Sequence, residues 1–90
     1  MVDAVVKAEQ GLDRFRSVLN AKESEIVSKL LAAGGEIVRR EELLLVLAGR
    51  APRTLDTYIK QIRAKMRGVG LSDRMLTTHA GTGYSFHYKP

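Results

Sequence analysis

The sequence predicts a single α+β domain in which three helices form a core and a β-hairpin follows them. Two patterns carry this prediction. Residues 54–67 place apolar side chains at steps of four, three and four residues, as on one face of a helix. Residues 84–88 alternate aromatic and polar side chains, as on a half-buried strand, and the loop 79–83 before them contains two glycines.

Length and composition limit the class of protein. The 90 residues are 44% hydrophobic and 28% charged, which is typical of one globular domain. The longest apolar run, Leu43 to Ala48, is too short to span a bilayer, and Asp3 is unfavourable in a signal peptide. We therefore expect a cytoplasmic protein with no membrane partner. The sequence has no cysteine and two histidines, so we expect no metal and no cofactor.

Basic residues are concentrated in the second half of the chain. Residues 1–49 contain seven Lys or Arg and eight Asp or Glu, whereas residues 50–90 contain eight and two. This asymmetry predicts a polyanionic partner, with nucleic acid as the first candidate and a membrane surface as the second. The membrane surface is disfavoured, because the apolar stripe opposite the basic face of residues 54–67 must be buried by the fold itself.

Residues 1–18 are predicted to form an N-terminal extension. Apolar side chains at three- and four-residue steps indicate an amphipathic helix, and a short hairpin with strands at 2–7 and 12–18 is the alternative. The apolar stripe either covers the core of this domain, which we favour, or docks a partner. The stripe consists of Val5, Ala8, Leu12, Phe15 and Leu19.

The main domain is predicted to cover residues 19–90. Asn20 and Glu23 have the spacing of a capping box at a helix start, and Gly34 and Gly35 favour the end of that helix. A short extended segment and a second short helix follow, the latter rich in leucine. The predicted hairpin then pairs residues 75–78 with the alternating strand.

The outward face of the helix at 54–67 is basic and polar. Two short helices, a longer basic helix and a hairpin together define a winged helix-turn-helix, with 54–67 as the recognition helix in the DNA major groove and 79–83 as the wing. On that face Gln61 has the chemistry to pair with adenine, and the Thr57 methyl group can contact thymine. The face consists of Arg53, Thr57, Lys60, Gln61 and Ala64, with Tyr58, Arg63, Lys65 and Arg67 on its flanks.

Four motifs resemble one family, the OmpR-type winged-helix effector domains of bacterial response regulators. Residues 19–23 are similar to its Leu-Thr-x-x-Glu start, and residues 35–43 to its Gly-x-Val-Val-Ser-Arg-Glu-x-Leu segment. Residues 53–66 resemble its recognition helix, and residues 78–84 its wing signature, Thr-Val-Arg-Gly-x-Gly-Tyr. The resemblance covers about three-quarters of the chain, and the motifs occur in the family's order.

The resemblance implies DNA contacts at particular residues. Thr57 and Gln61 would contact bases. Tyr84 has an alternative role as an anchor of the wing to the core. For Arg63 the alternatives are that it extends its charged end to solvent or that it pairs with Asp56. The residues expected to contact phosphate are Arg53, Tyr58, Lys60, Arg63, Arg67, Thr78 and Tyr84, of which Arg67 is included for its place on the basic flank of the helix.

The chain also departs from this family. Ala80 replaces the arginine that commonly enters the minor groove, and Arg39 replaces a helix-capping serine. The connection at 49–52 is shorter than the family's loop that touches RNA polymerase. Residues 1–18 are too few for the usual preceding four-stranded sheet, and we expect a stand-alone domain with no receiver domain and no regulation by phosphorylation.

We therefore predict a sequence-specific, double-stranded DNA-binding transcriptional regulator, located at the nucleoid and with no small-molecule substrate. A second copy of the chain or another transcription factor is a candidate additional partner. The alternative is a winged-helix module for protein interaction or dimerisation, with weak or no specific DNA binding. An enzyme is not expected, because the glycines at 68–70 and 81–83 lack the strand-to-helix setting of a nucleotide-binding loop.

Overall fold

A computed structural model of the chain describes residues 12–47 and 52–87. Predictions for residues 1–11, 48–51 and 88–90 lie outside the described residues. Within them the order is helix, helix, short strand, helix, long helix and hairpin, which confirms the predicted α+β class. The elements are α1 (residues 12–17), α2 (Ala21–Ala32), β1 (Val38–Arg39), α3 (Arg40–Val46), α4 (Pro52–Gly68), a 3-10 turn (Asp73–Met75), β2 (Leu76–His79) and β3 (Gly83–Phe86).

Helix α1 packs onto the domain core. Residues 12–17 are helical, so the alternative hairpin, which required a strand at 12–18, is wrong. Phe15 is completely buried, and its ring stacks on that of Phe86 with 6.3 Å between the ring centroids. The apolar stripe of α1 therefore contributes to the same core as the hairpin. Val5 and Ala8 of that stripe lie outside the described residues.

Helix α2 begins with the predicted capping box. The Asn20 side chain accepts a hydrogen bond from the Glu23 amide (2.9 Å), and the Glu23 carboxylate accepts one from the Asn20 amide (3.0 Å). The helix buries Ile26, Val27 and Leu30. After α2, Gly34 has φ 61°, a conformation that glycine adopts without steric cost.

Helix α3 begins without a side-chain cap. We expected this, because Arg39 stands at the position where the family has a capping serine. One amide of its first turn finds a partner elsewhere, because the Arg40 N–H donates to the Thr82 carbonyl (3.0 Å). Glu41 and Glu42 lie in the first turn, where negative charge is favourable. This hydrogen bond also joins the start of α3 to the turn of the wing.

Helix α4 confirms the predicted apolar stripe, since Leu55, Ile59, Ile62 and Met66 are all buried. It begins at Pro52, two residues before the predicted start. Proline is favoured in the first turn of a helix because its missing N–H would have no partner within the helix.

The hairpin belongs to a three-stranded antiparallel sheet with the order β1-β3-β2. The alternation at 84–88 predicted a half-buried strand whose polar side is exposed, and this is wrong for Ser85, which is only 1% exposed because β3 is the central strand and His79 of β2 lies beside it. On that side the Ser85 hydroxyl lies 2.8 Å from the His79 ring nitrogen Nε2. Gly83 permits the close approach of β1, since a Cβ atom there would lie 2.0 Å from the Val38 carbonyl oxygen.

Candidate nucleic-acid interface

The outward face of α4 is exposed as predicted. It lies opposite the buried stripe, and none of its side chains is a carboxylate. Its members, all exposed, are Arg53, Thr57, Lys60, Gln61 and Ala64. Such a face can neutralise phosphates and donate to base edges without repelling a polyanion.

Thr57 and Gln61, the two residues expected to contact bases, have different surroundings. The Thr57 hydroxyl donates to the Arg53 carbonyl (3.1 Å), so its polar atom is engaged with the helix backbone and its methyl group is left for an apolar contact. Gln61 lines two surface grooves. One is formed with residues of α4 and Asn20, and the other with Val18, Ala64, Lys65, Gly68 and Val69.

A third groove, of about 410 Å³, lies between α4 and the sheet. It brings three of the predicted phosphate-binding cations together beside one carboxylate. Its lining residues are Asp56, Ile59, Lys60, Arg63, Arg67 and Tyr84. Four of these side chains, those of Asp56, Arg63, Arg67 and Tyr84, are bonded to other groups of the protein.

Arg63 joins α4 to the wing. Its Nη2 donates to the Leu76 carbonyl (2.9 Å) and to the Thr78 hydroxyl (2.6 Å). The predicted pairing of Arg63 with Asp56 is wrong, because the hairpin presents these two acceptors within reach of the guanidinium. A guanidinium has five N–H donors, so Arg63 keeps donors beyond these two bonds.

Asp56, Arg40 and Tyr84 form a hydrogen-bonded cluster between α4, α3 and β3. The Arg40 guanidinium donates to Asp56 (3.1 Å) and to the Tyr84 hydroxyl (3.2 Å), and that hydroxyl donates to Asp56 (3.2 Å). The hydrogen bond from Arg40 lowers the pKa of the Asp56 carboxyl, and burial raises the pKa of the Tyr84 hydroxyl. Tyr84 is only 4% exposed. This geometry suits the anchoring role for Tyr84, and its phosphate contact stays a prediction.

Of the other predicted phosphate contacts, Arg67 lines this groove, Thr78 is bonded to Arg63 beside it, and Tyr58 lines the separate groove that contains Asn20. Arg67 forms an ion pair with Asp73 (2.7 Å) in which both side chains keep solvent access. Thr78 is exposed and Tyr58 half-buried. The structure therefore places Arg67, Thr78 and Tyr58 at accessible positions, with Arg67 and Thr78 already bonded within the protein.

The turn of the wing carries no charge. Ala80, Gly81 and Thr82 are exposed between β2 and β3. His79, at the end of β2, is half-buried and bonded to Ser85. Across residues 12–47 and 52–87, no three His, Cys, Asp or Glu side chains cluster as metal ligands would, and no helix is long and apolar enough to cross a membrane.

These features define the class of protein: a winged helix whose long helix presents a basic face, as DNA-binding domains do. Residues 16–86 match the family model described as "Transcriptional regulatory protein, C terminal". Because the match covers most of the chain, the chain belongs to this family of DNA-binding effector domains of transcriptional regulators. The resemblance to OmpR-type domains is thus confirmed. Among curated proteins, no relative matches the sequence.

Sequence reasoning missed the partners of several charged residues. Arg40 was not singled out, although it holds both Asp56 and Tyr84. Glu23 was identified for its cap, but its ion pair with Lys65 was not. These partners lie 16 to 44 residues apart in the chain, so no local spacing could indicate them.

Proposed function

We propose that the chain is a sequence-specific, double-stranded DNA-binding transcriptional regulator that acts at the nucleoid in the cytoplasm. Helix α4 enters the major groove, and the turn at 79–83 lies against the neighbouring backbone. The supporting observation is the exposed face of α4, which carries Arg53, Lys60 and Gln61 and has no carboxylate at its centre, since Asp56 lies on the flank and is paired with Arg40.

Each residue of the interface has a proposed role. Gln61 and Thr57 contact base edges, the first by hydrogen bonds and the second through its methyl group. Arg53 and Lys60, exposed on the same face, contact phosphates. Arg63 contacts a phosphate through the N–H donors that are not bonded to the wing. Further phosphate contacts are proposed for Tyr58, Arg67, Thr78 and Tyr84.

The first experiment is selection of bound duplexes from a randomised library at two salt concentrations. A sequence-specific reader enriches a defined motif, and its affinity falls steeply as salt rises, because bound phosphates release counterions. Flat enrichment combined with weak, salt-erased retention would refute the proposal.

Two substitutions then separate base contacts from phosphate contacts. Gln61→Ala should cost about 1–3 kcal/mol on the selected site and remove the preference at one base pair. Lys60→Ala should weaken all duplexes equally and reduce the salt slope by about one. Lys29→Ala is the control, since it removes the same charge from an exposed position on α2. The docking is incorrect if Lys60→Ala behaves like this control.

The alternative function, a protein-interaction or dimerisation module, has its own supporting observation. Leu45 on α3 is 76% exposed, and Ile37 and Val18 are about half exposed. Sedimentation over a concentration series tests self-association through such residues. A chain that stays monomeric at high concentration excludes the homodimer, and a dimer abolished by Leu45→Lys would support it.

A further inference from the structure

One charged contact crosses from α2 to the recognition helix. Glu23 is completely buried, and one of its carboxylate oxygens, Oε1, accepts from both the Asn20 amide and the Lys65 ammonium of α4. Its other oxygen, Oε2, is buried and has no hydrogen-bond partner in the described part of the chain. The carboxylate thus depends on Lys65 for compensation of its charge.

The Glu23–Lys65 ion pair lies near Gln61, the residue proposed to bind base edges. Lys65 is one helical turn after Gln61. Both side chains line a surface groove together with Val18, which directly follows α1. Asn20 lines the neighbouring groove together with Gln61. The junction between α1 and α2 therefore lies along the flank of α4 at the level of Gln61.

We propose that the Glu23–Lys65 ion pair is a positioning contact that fixes the rotation and axial register of α4 against α2, and thereby the placement of Gln61 on DNA. This inference rests on the proposed function. It assigns the Lys65 ammonium to the Glu23 carboxylate and not to a phosphate.

Helix packing alone specifies this register weakly. The buried stripe of α4 consists of apolar side chains of similar size, and cores of such side chains tolerate repacking at small cost. The Glu23 side chain of this ion pair is fully buried and the Lys65 side chain is 34% exposed. Such a pair adds little net stability, because desolvation of the carboxylate offsets the attraction, but it limits how far Lys65 can move away from Glu23. Any rotation of α4 that separates Lys65 from Glu23 leaves a buried carboxylate without a cation.

The test compares variants of the whole chain. Glu23→Gln combined with Lys65→Met removes both charges and keeps the size of each side chain. We expect this double variant to fold with near-native stability, to keep the wild-type salt slope, and to lose about fivefold or more of the discrimination at the base pair read by Gln61. The control is Val27→Ala, a buried substitution on α2 that lowers stability without touching the pair.

Two DNA-binding outcomes would overturn the proposal. The first is discrimination in the double variant equal to that of the control. The second is a salt slope reduced by about one, which would make Lys65 a phosphate contact.

A measurement on the free protein separates this inference from the proposed function. Residual dipolar couplings of backbone amides report the orientation of α4 relative to α2. A changed or averaged orientation in the double variant supports the positioning role even if wild-type protein shows no sequence discrimination, in which case only the proposed function fails. An unchanged orientation overturns the positioning role.

Discussion

The recognition helix and the wing are held to the same core, but they carry different chemistry. The exposed face of α4 contains Arg53 and Lys60, whereas the exposed turn at 80–82 contains no charged side chain. In the proposed interface, the long helix thus supplies the charge that faces DNA, and the wing supplies a fixed surface beside it. Most of the salt-dependent affinity is expected to come from α4.

The wing is nevertheless firmly attached. Arg63 bonds to β2, Tyr84 bonds to Asp56 of α4, and Gly83 brings β3 against β1. The attachment of the wing and its charge are therefore separate properties. Three substitutions test them: two change the attachment, and one adds a charge.

The largest effect is expected from Gly83→Ala, which breaks the attachment. The added Cβ would lie 2.0 Å from the Val38 carbonyl oxygen and 2.9 Å from the Arg39 Cα, and neither backbone atom can move aside easily. We expect a loss of about 3 kcal/mol in the free energy of unfolding, measured by urea denaturation. Gly68→Ala is the matched control, because its Cβ would meet nothing within 4 Å. Equal stability of the two variants would contradict this account of the β1–β3 contact.

A smaller effect is expected from Ala80→Arg, which gives the wing a charge. Position 80 is exposed, so an arginine fits without disturbing the sheet. We expect about fivefold tighter DNA binding, or about 1 kcal/mol, with a salt slope steeper by about one. Ala80→Gln is the control for side-chain size without charge. An arginine that changes neither quantity would show that the wing does not approach DNA.

The smallest effect is expected at the junction of α4 with the wing. Arg40 lowers the pKa of Asp56, so the ionised carboxylate stabilises the folded state above the unfolded pKa of about 3.9, and that stabilisation disappears as the pH falls through the lower folded pKa. Because the Asp56 side chain is largely exposed, Asp56→Asn should cost less than about 1 kcal/mol at pH 7.

Thermal denaturation from pH 7 to pH 2 measures this effect. The difference in Tm between wild type and Asp56→Asn should shrink toward zero at the acid end of the range. A difference that is constant with pH would mean that the hydrogen bonds, and not the charge of Asp56, hold the junction.

The sequence predicted those features that depend on near neighbours in the chain. The α4 stripe repeats every three or four residues, and the capping box joins Asn20 to Glu23, so both appear in local spacing. The exposed side chains of α4 followed from the same periodicity, because they lie opposite the stripe.

Features that depend on tertiary contacts were missed or wrong. The alternation around Ser85 indicated two faces, but it held no information that β3 lies between two other strands. Similarly, Arg63 and Asp56 share a flank of α4, but they do not bond to each other. Asp56 bonds to Arg40, 16 residues earlier in the chain, and Arg63 bonds to Leu76, 13 residues later. The choice of partner for a long cationic side chain is set by the packing of whole elements.

The bond from Arg63 to the Leu76 carbonyl has a further consequence for the exposed edge of the sheet. β2 is an edge strand, and an edge strand offers unpaired backbone groups to strands of other molecules. The guanidinium occupies one of these acceptors, at the position where an additional strand would donate its N–H. The same residue that joins the helix to the wing thus also removes one acceptor from those that this edge could offer to another strand.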